Sequence, residues 1–443
     1  QLTADKLIER EKESSPVLLM TDEQSNAVDS FFHFMLEPDA KEMHLVGPAG
    51  TGKTFTLNKI MSEGMERYEN ACSLLGIKQT IFGIELTATT NKAAEVLHLA
   101  TGKPATTIHS FMGFKVREDY ETGETKITIG SDQQVKHNTL IIIDEASMID
   151  YKLYDLLHKY THNCKFLYTS DHCQMAPVFE EMSKIYTNKS FFSQLTKPMR
   201  NASQPALMDL CQQWRETVET GVFKPILPVP GIIEYYDGPA MEKAINDIFV
   251  NNDNPDVRIM CYSNNRVKEY NEYIRNLRGL PSYYEAGEHL VNASTYISGQ
   301  QKLNVEEEVY VESNPYQQKV MSVQGIEFDV YLLNVIKSNG GRLSLNIPAY
   351  PKHFNDLIKY FAGNKNWSGY FYLKQQFPDL RPKYASTVYK AQGSTYDTVI
   401  IDLDNISKCN HANQVARMMY VAVSRPRNKI ILYGKLKDAY AGG

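Results

Sequence analysis

Short apolar runs recur along the first two hundred residues, and each ends in a cluster of small or polar side chains. MHLV (43–46), TIFGIELTA (80–88), TLIIIDEAS (139–147) and FLYTSD (166–171) read as strands, with helically spaced stretches such as FTLNKI between them. That rhythm predicts βα units around a parallel sheet. A second αβ section opens at VRIMCYSNNRVKEYNEYI (257–274) and resumes at TVIIDLDN (398–405) and KIILYG (429–434). Between them, roughly residues 287–383, alternating stretches such as VEEEVYVES and EFDVYLLNVI, with a turn signal at SNGG, predict an inserted β-rich domain. FKVREDYETGETKITIG (114–130) alternates on both sides of a Gly-containing turn and predicts a β-hairpin. YPKHFNDLIKYFAGNKNWSGYFYLKQQF (350–377) mixes aromatics with lysines at helical spacing, a pattern that more often packs a core than touches a ligand. No internal repeat or low-complexity tract interrupts the chain.

Composition narrows the class. The 443 residues suggest two to four domains, and 42% hydrophobic with 22% charged residues describes a folded globular chain. The net charge of −5 excludes a uniformly basic nucleic-acid coat, so any nucleic-acid contact must be a local groove. Six scattered cysteines, without CxxC spacing, argue against zinc and against a disulfide framework. No apolar run approaches bilayer length and the start, QLTADKLIER, is polar, so a cytoplasmic location is expected.

The polar clusters carry the chemistry. Ligands of parallel αβ sheets gather at the carboxyl ends of strands, where GPAGTGKT, TATTNK, DEAS and SDHCQ all fall. GPAGTGKT supplies Gly47, Pro48, Ala49, Gly50, Thr51, Gly52, Lys53 and Thr54 in the Walker A pattern. Glycines let backbone N–H groups converge on phosphates, Lys53 meets the β/γ-phosphates, and the Thr54 hydroxyl suits Mg²⁺. TLIIIDEAS delivers Asp144 to hold Mg²⁺ through water and Glu145 to polarise an attacking water. Hydrolysis of a nucleoside triphosphate, rather than binding alone, is expected.

Taken in order, TDEQ, GPAGTGKT, TATTNKAA, TTIHS, DEAS, SDHCQMAPV, LTKPMR, STVYKAQGST and YVAVSRPR resemble the motifs of a superfamily 1 helicase, and TNKAA with TTIHS resembles the RecD/Pif1-type branch. The β-rich insertion and the length are most similar to those of a bacteriophage member. Three positions depart from the family pattern: Thr89 stands for a proline, Ser170 for a glycine and Tyr389 for a histidine. The resemblance implies an α/β fold of two RecA-like parallel-sheet motor domains, residues 1–110 with 140–196 and residues 197–286 with 384–443. It also implies a small β-hairpin insertion at 111–139 and a β-rich, SH3-like insertion at 287–383.

Residue roles follow from the same resemblance. Gln24 would pair with the adenine edge of ATP, Gly393 would line the nucleotide, and Gln174 would sense the γ-phosphate. Arg200 and Arg425 would stabilise charge on the transferred phosphoryl group, a task suited to a planar, permanently charged guanidinium. DNA-contact candidates are Thr90, Asn91, Lys92, Thr107, His109, Ser263, Asn264, Ser386 and Thr387, expected on a surface opposite the nucleotide and holding phosphates without reading sequence. His109 by itself also reads as a structural histidine. Tyr120, near the hairpin tip, would be a strand-separating pin, or else merely a half-buried surface aromatic. The expected activity is ATP- and Mg²⁺-dependent 5′ to 3′ movement on single-stranded DNA and unwinding of fork DNA. A single-strand binding protein or replisome components are the further partners, and the host cytoplasm the compartment. An ATP-controlled single-strand binding module that does not separate strands, or an RNA motor, shares the same cleft chemistry.

Overall fold

Thr21 sets the start of the first helix, α1 (Asp22–Leu36). In the computed structural model, which describes residues 20–48, 50–118, 125–129, 133–174, 191–196 and 204–442, the Thr21 hydroxyl accepts from the Gln24 amide at 3.3 Å. The Gln24 side chain returns the bond at 3.1 Å, completing a capping box. Ala27, Val28, Phe31, Phe34 and Met35 bury one face of α1, as their three-and-four spacing requires. Beyond its C-terminus the Lys165 ammonium donates to the carbonyls of Phe34, Glu37 and Ala40 at 2.9, 2.7 and 2.6 Å, satisfying oxygens with no partner inside the helix. Burial pulls the Lys165 pKa down to about 8, with Glu37 opposing.

The first sheet contains six parallel strands: β1 (Glu42–Val46), β2 (Gly83–Ala88), β3 (Thr106–Thr107), β4 (Thr139–Asp144), β5 (Lys165–Ser170) and β6 (Phe191–Gln194). Their order is β6-β1-β5-β4-β2-β3. Residues 140–143 of β4 and all of β5 are buried, because apolar clusters lie on both faces of the sheet. The apolar runs of these strands reflect that double cover. Helix α2 (Lys53–Lys59) follows β1, α3 (Asn91–Thr101) follows β2 and α4 (Ile108–Met112) follows β3. The predicted hairpin is present: Phe114–Glu118 pairs antiparallel with Thr125–Ile129, Glu118 opposite Thr125. Its tip, with Tyr120, lies outside the described residues.

Helix α5 (Pro205–Thr220) begins the second unit. Its sheet holds β7 (Ile233–Tyr236), β8 (Val257–Cys261), β9 (Ala385–Thr387), β10 (Tyr396–Asp402) and β11 (Pro426–Tyr433), all parallel, in the order β7-β11-β10-β8-β9. Helix α6 (Asn264–Leu277) follows β8, α7 (Val388–Ala391) follows β9, and α8 (Ala412–Val423) precedes β11. This sheet too has an apolar cluster on each face. Two doubly covered parallel sheets are the expected architecture.

A six-stranded antiparallel sheet stands between α6 and β9, running from His289 to Pro382 around the long strand Ile326–Lys337. Two helices, Pro351–Gly363 and Trp367–Gln376, come from the aromatic-rich stretch. Phe354, Leu357, Phe361 and Leu373 from these helices, with Phe377 just beyond, pack on Val323, Phe328 and Val330, so these apolar side chains build a core. The insertion is therefore β-rich with a helical layer.

Replacing Lys165 by Met should remove three carbonyl partners from a buried site and cost roughly 2–4 kcal/mol of stability. Urea denaturation with an unchanged slope would show it; a loss under about 0.5 kcal/mol would mean that solvent satisfies those carbonyls equally well.

Candidate nucleotide and nucleic-acid site

Three neighbouring strands build the phosphate loop and its surroundings. β1, β5 and β4 lie side by side with Val46 opposite Ser170 and Ile143 opposite Tyr168, so their trailing loops meet. The Gly47 N–H donates to the Ser170 carbonyl at 3.0 Å, and the Leu195 N–H to the Val46 carbonyl at 2.8 Å. Gly47 has no room for a side chain: a Cβ would fall 2.7 Å from the Leu195 carbonyl oxygen and 2.8 Å from Thr51 Oγ1. Gly50 and Gly52 take the left-handed conformation at φ 85° and 83°, which turns the chain into α2. Lys53 and Thr54 then open the helix, and the Lys53 ammonium donates to the carbonyls of Gly47 and Pro48 at 2.6 and 2.9 Å. Ala49 lies outside the described residues.

Gln24 sits beside this loop. Its amide nitrogen donates to the Thr51 carbonyl at 3.3 Å while its oxygen serves the α1 cap, so both ends of the buried amide engage backbone.

The acids follow β4. Asp144 accepts a short hydrogen bond from the Thr169 hydroxyl, which fixes the carboxylate. Glu145 occupies the left-handed region at φ 54°, where the chain reverses into a short 3₁₀ turn. Burial, reinforced by Asp144, raises the Glu145 pKa to about 7, while Arg425, Lys53 and a 3.5 Å hydrogen bond from Gln392 oppose the rise. Burial lowers the Lys53 pKa; Asp171, Asp144 and Glu145 oppose that shift and Arg425 adds to it. Thr54 offers a hydroxyl and Asp144 a carboxylate, oxygen donors of the kind Mg²⁺ takes.

Part of this cluster arrives from the second sheet. Arg425, just before β11, is 5% exposed and donates to the carbonyls of Val421 and Ser394 at 3.1 and 3.3 Å, and to Ser424 Oγ at 2.8 Å. Gly393 has φ 79°, and a Cβ there would stand 3.4 Å from the Glu145 carboxylate. Gln174 lies after β5 and directs its amide at Asp171, 3.4 Å away. Arg200 lies outside the described residues. Sequence reasoning missed Asp171, Gln392, Ser394, Arg417 and Tyr420 as site residues, since their partners lie across the boundary between the sheets.

The nucleic-acid candidates share one local geometry. Thr90, Thr107, Ser263 and Thr387 are the N-caps of α3, α4, α6 and α7, each side chain accepting from a backbone N–H at 3.1 to 3.4 Å. They follow or end β2, β3, β8 and β9, in each sheet an edge strand and its immediate neighbour. Within the first sheet the parallel strands finish on one edge, so Thr90 and Thr107 share that edge with the phosphate loop and are displaced sideways from it, while Ser263 and Thr387 follow or end neighbouring strands of the second sheet. Asn91 is exposed, whereas Lys92 reaches across to the Ser394 hydroxyl and Asn264 accepts from Arg381 at 3.1 Å. The Ser386 hydroxyl is buried without a hydrogen-bond partner among the described residues. Burial lowers the His109 pKa against the pull of Asp150, which favours the neutral ring.

Comparison with known proteins gives the same division. Residues 34–180 match the model of an AAA domain, and residues 382–433 that of a UvrD-like helicase C-terminal domain. Over 92% of its length the chain is 24% identical to the ATP-dependent DNA helicase dda of Enterobacteria phage T4, covering 98% of that protein. An uncharacterized protein of Acanthamoeba polyphaga mimivirus is 21% identical over the same shares. Among solved structures, the Pif1 helicase from Bacteroides in complex with ADP-AlF3 and ssDNA superposes with a TM-score of 0.53 at 12% identity, over 96% of this chain and 94% of that one. The Candida albicans Pif1 helicase gives 0.50 at 14%, over 95% of each. The fold is thus that of two RecA-like parallel sheets with added β-rich elements. The AAA match falls on the first sheet and the helicase C-terminal match on the second, and the likeness to the phage DNA helicase runs through both.

Gly47→Ala should force the loop away from Leu195 and weaken binding of an ATP analogue roughly tenfold or more. Titration with a fluorescent nucleotide measures it, and unaltered affinity would show that the loop tolerates a Cβ.

Proposed function

We propose that the chain hydrolyses ATP to move along single-stranded DNA, 5′ to 3′, and to separate the strands of forked duplex. One observation carries this reading: a half-buried charge cluster draws Lys53, Asp144, Glu145 and Asp171 from the first sheet and Arg425 from the second. Hydrolysis built across two bodies can be coupled to their relative motion.

Within that reading, the loop amides and Lys53 hold the phosphates, Glu145 takes the proton of the attacking water, and Arg425 meets the charge that develops on the transferred group. Thr54 and Asp144 would hold Mg²⁺, which supplies charge neutralisation at the phosphates. Gln174 orients the water, Gly393 leaves space beside Glu145, and Arg200 supplies a second guanidinium. Gln24 braces the loop through Thr51 and lies where the base would sit. The N-capping hydroxyls and free amides of α3, α4, α6 and α7, with Asn91, Lys92, His109, Asn264 and Ser386 beside them, form paired phosphate contacts, two helix N-termini from each motor. The domain limits are those set by the motifs, the hairpin serves as pin, and the host-cell cytoplasm is the working compartment.

Duplexes with a 5′ or a 3′ single-stranded tail, made in DNA and in RNA, test the activity. Unwinding of the 5′-tailed DNA alone is the expected outcome. Unwinding of only the 3′-tailed form would reverse the polarity, preference for RNA would change the substrate, and DNA-stimulated hydrolysis without unwinding would leave a binding or remodelling module. Arg425→Ala should reduce the hydrolysis rate at saturating ATP by roughly 10³ while altering ATP affinity far less. A lost affinity with a normal saturated rate would make Arg425 a binding residue only.

A further inference from the structure

The segment after β5 belongs to the first motor by sequence, yet its side chains are held by the second. Cys173 is fully buried and packs in the apolar cluster of the second motor, with Leu207, Trp214 and Met418 among its members. Burial pushes the thiol pKa up, so this side chain is a neutral apolar plug. His172 meets Glu219 of α5 at 3.0 Å, and Glu219 is in turn bonded by Arg215 at 3.3 Å. From α8, Arg417 Nη1 donates to the carbonyls of His172 and Gln174 at 2.5 and 2.7 Å. One turn further along α8, the Tyr420 hydroxyl donates to Asp171 Oδ2 at 2.6 Å.

That oxygen is the one the Gln174 amide also approaches. Asp171 Oδ1 meanwhile accepts from the Cys173 N–H at 3.1 Å, so the carboxylate is held from three sides. A tyrosine of the second motor therefore fixes the carboxylate that orients Gln174 in the first. Arg417 and Tyr420 stand at i and i+3 on one face of α8, whose C-cap residue, Ser424, immediately precedes Arg425. Residues 415, 416 and 418–423 of α8 are buried, so the helix is held as a rigid rod.

We propose that Tyr420 and Arg417 are positioning residues: through Asp171 and the His172 and Gln174 carbonyls they set the place of Gln174 from the second motor, and so couple nucleotide state to DNA affinity. The same rod that carries Arg425 to the phosphates grips the segment that senses them. Any displacement of the second motor must then move both groups together or break the three hydrogen bonds. This inference rests on the motor reading above.

The test uses the full chain with Tyr420→Phe, which keeps the buried ring, and Arg417→Met, which keeps the stem. Two quantities are measured: the ATPase constants on single-stranded DNA, and the ratio of DNA affinities with and without ADP-AlF3. A coupling of this kind must appear as that ratio, by linkage. The expected result is a roughly tenfold fall in kcat with KM for ATP changed less than about twofold, and a ratio drawn toward one. A merely structural role would lower the melting temperature and leave the ratio at its wild-type value. Should either variant fold and keep both the wild-type ratio and kcat, the latch is wrong. If the wild-type protein itself binds DNA with the same affinity in both nucleotide states, the motor reading fails first, and the latch falls with it.

Discussion

A half-buried ammonium must be balanced, and much of this architecture follows from that requirement at Lys53. Burial pulls its pKa down, and three carboxylates, Asp171, Asp144 and Glu145, hold it up. Those acids come from the ends of β4 and β5, which lie beside β1 in the sheet, an adjacency that requires crossover connections. The fourth charge, Arg425, comes from the other motor and offsets the repulsion between Glu145 and Asp144. A cluster of this kind is only partly assembled by either sheet alone: the first supplies Lys53 and the three acids, the second Arg425.

The duplication extends to the edge proposed to meet nucleic acid. In each sheet an edge strand and its neighbour lead into a hydroxyl that caps a helix, so the two sheets present matching pairs of helix N-termini. Unsatisfied N–H groups at such termini attract phosphates irrespective of base, as a translocating motor needs. The cross-motor bond from Lys92 to Ser394 joins this edge to the glycine loop beside Glu145, so the two functions share one boundary.

Much of the plan is legible in the sequence for a physical reason. β1, β4 and β5 are buried on both faces and therefore read as mostly apolar runs, and the phosphate loop shows itself because only glycines tolerate its left-handed turns and the approach of Leu195. The helical aromatic spacing in residues 350–377 likewise signalled packing, and Phe354 and Phe361 bear that out. Other elements left weak signals: β3 has two residues, and β6, FFSQ, is only partly buried at the sheet edge. That Thr90 and Thr107 finish on the same sheet edge as the phosphate loop left no local signal, because motif order does not reveal strand order. Asp171 and Tyr420 are 249 positions apart, and no local pattern marks a tyrosine on a buried helix as the partner of a distant carboxylate.

The account stands on the second motor moving relative to the phosphate loop as nucleotide binds. Donor and acceptor dyes at exposed Glu95 in the first motor and Lys408 in the second would report it directly by energy transfer on the DNA-bound protein. Addition of ADP-AlF3 should change the transfer efficiency, and Arg425→Ala should diminish the change. An efficiency that stays constant through the nucleotide cycle, while the labelled protein hydrolyses ATP at the normal DNA-stimulated rate, would contradict the claim that hydrolysis is coupled through the boundary between the two sheets.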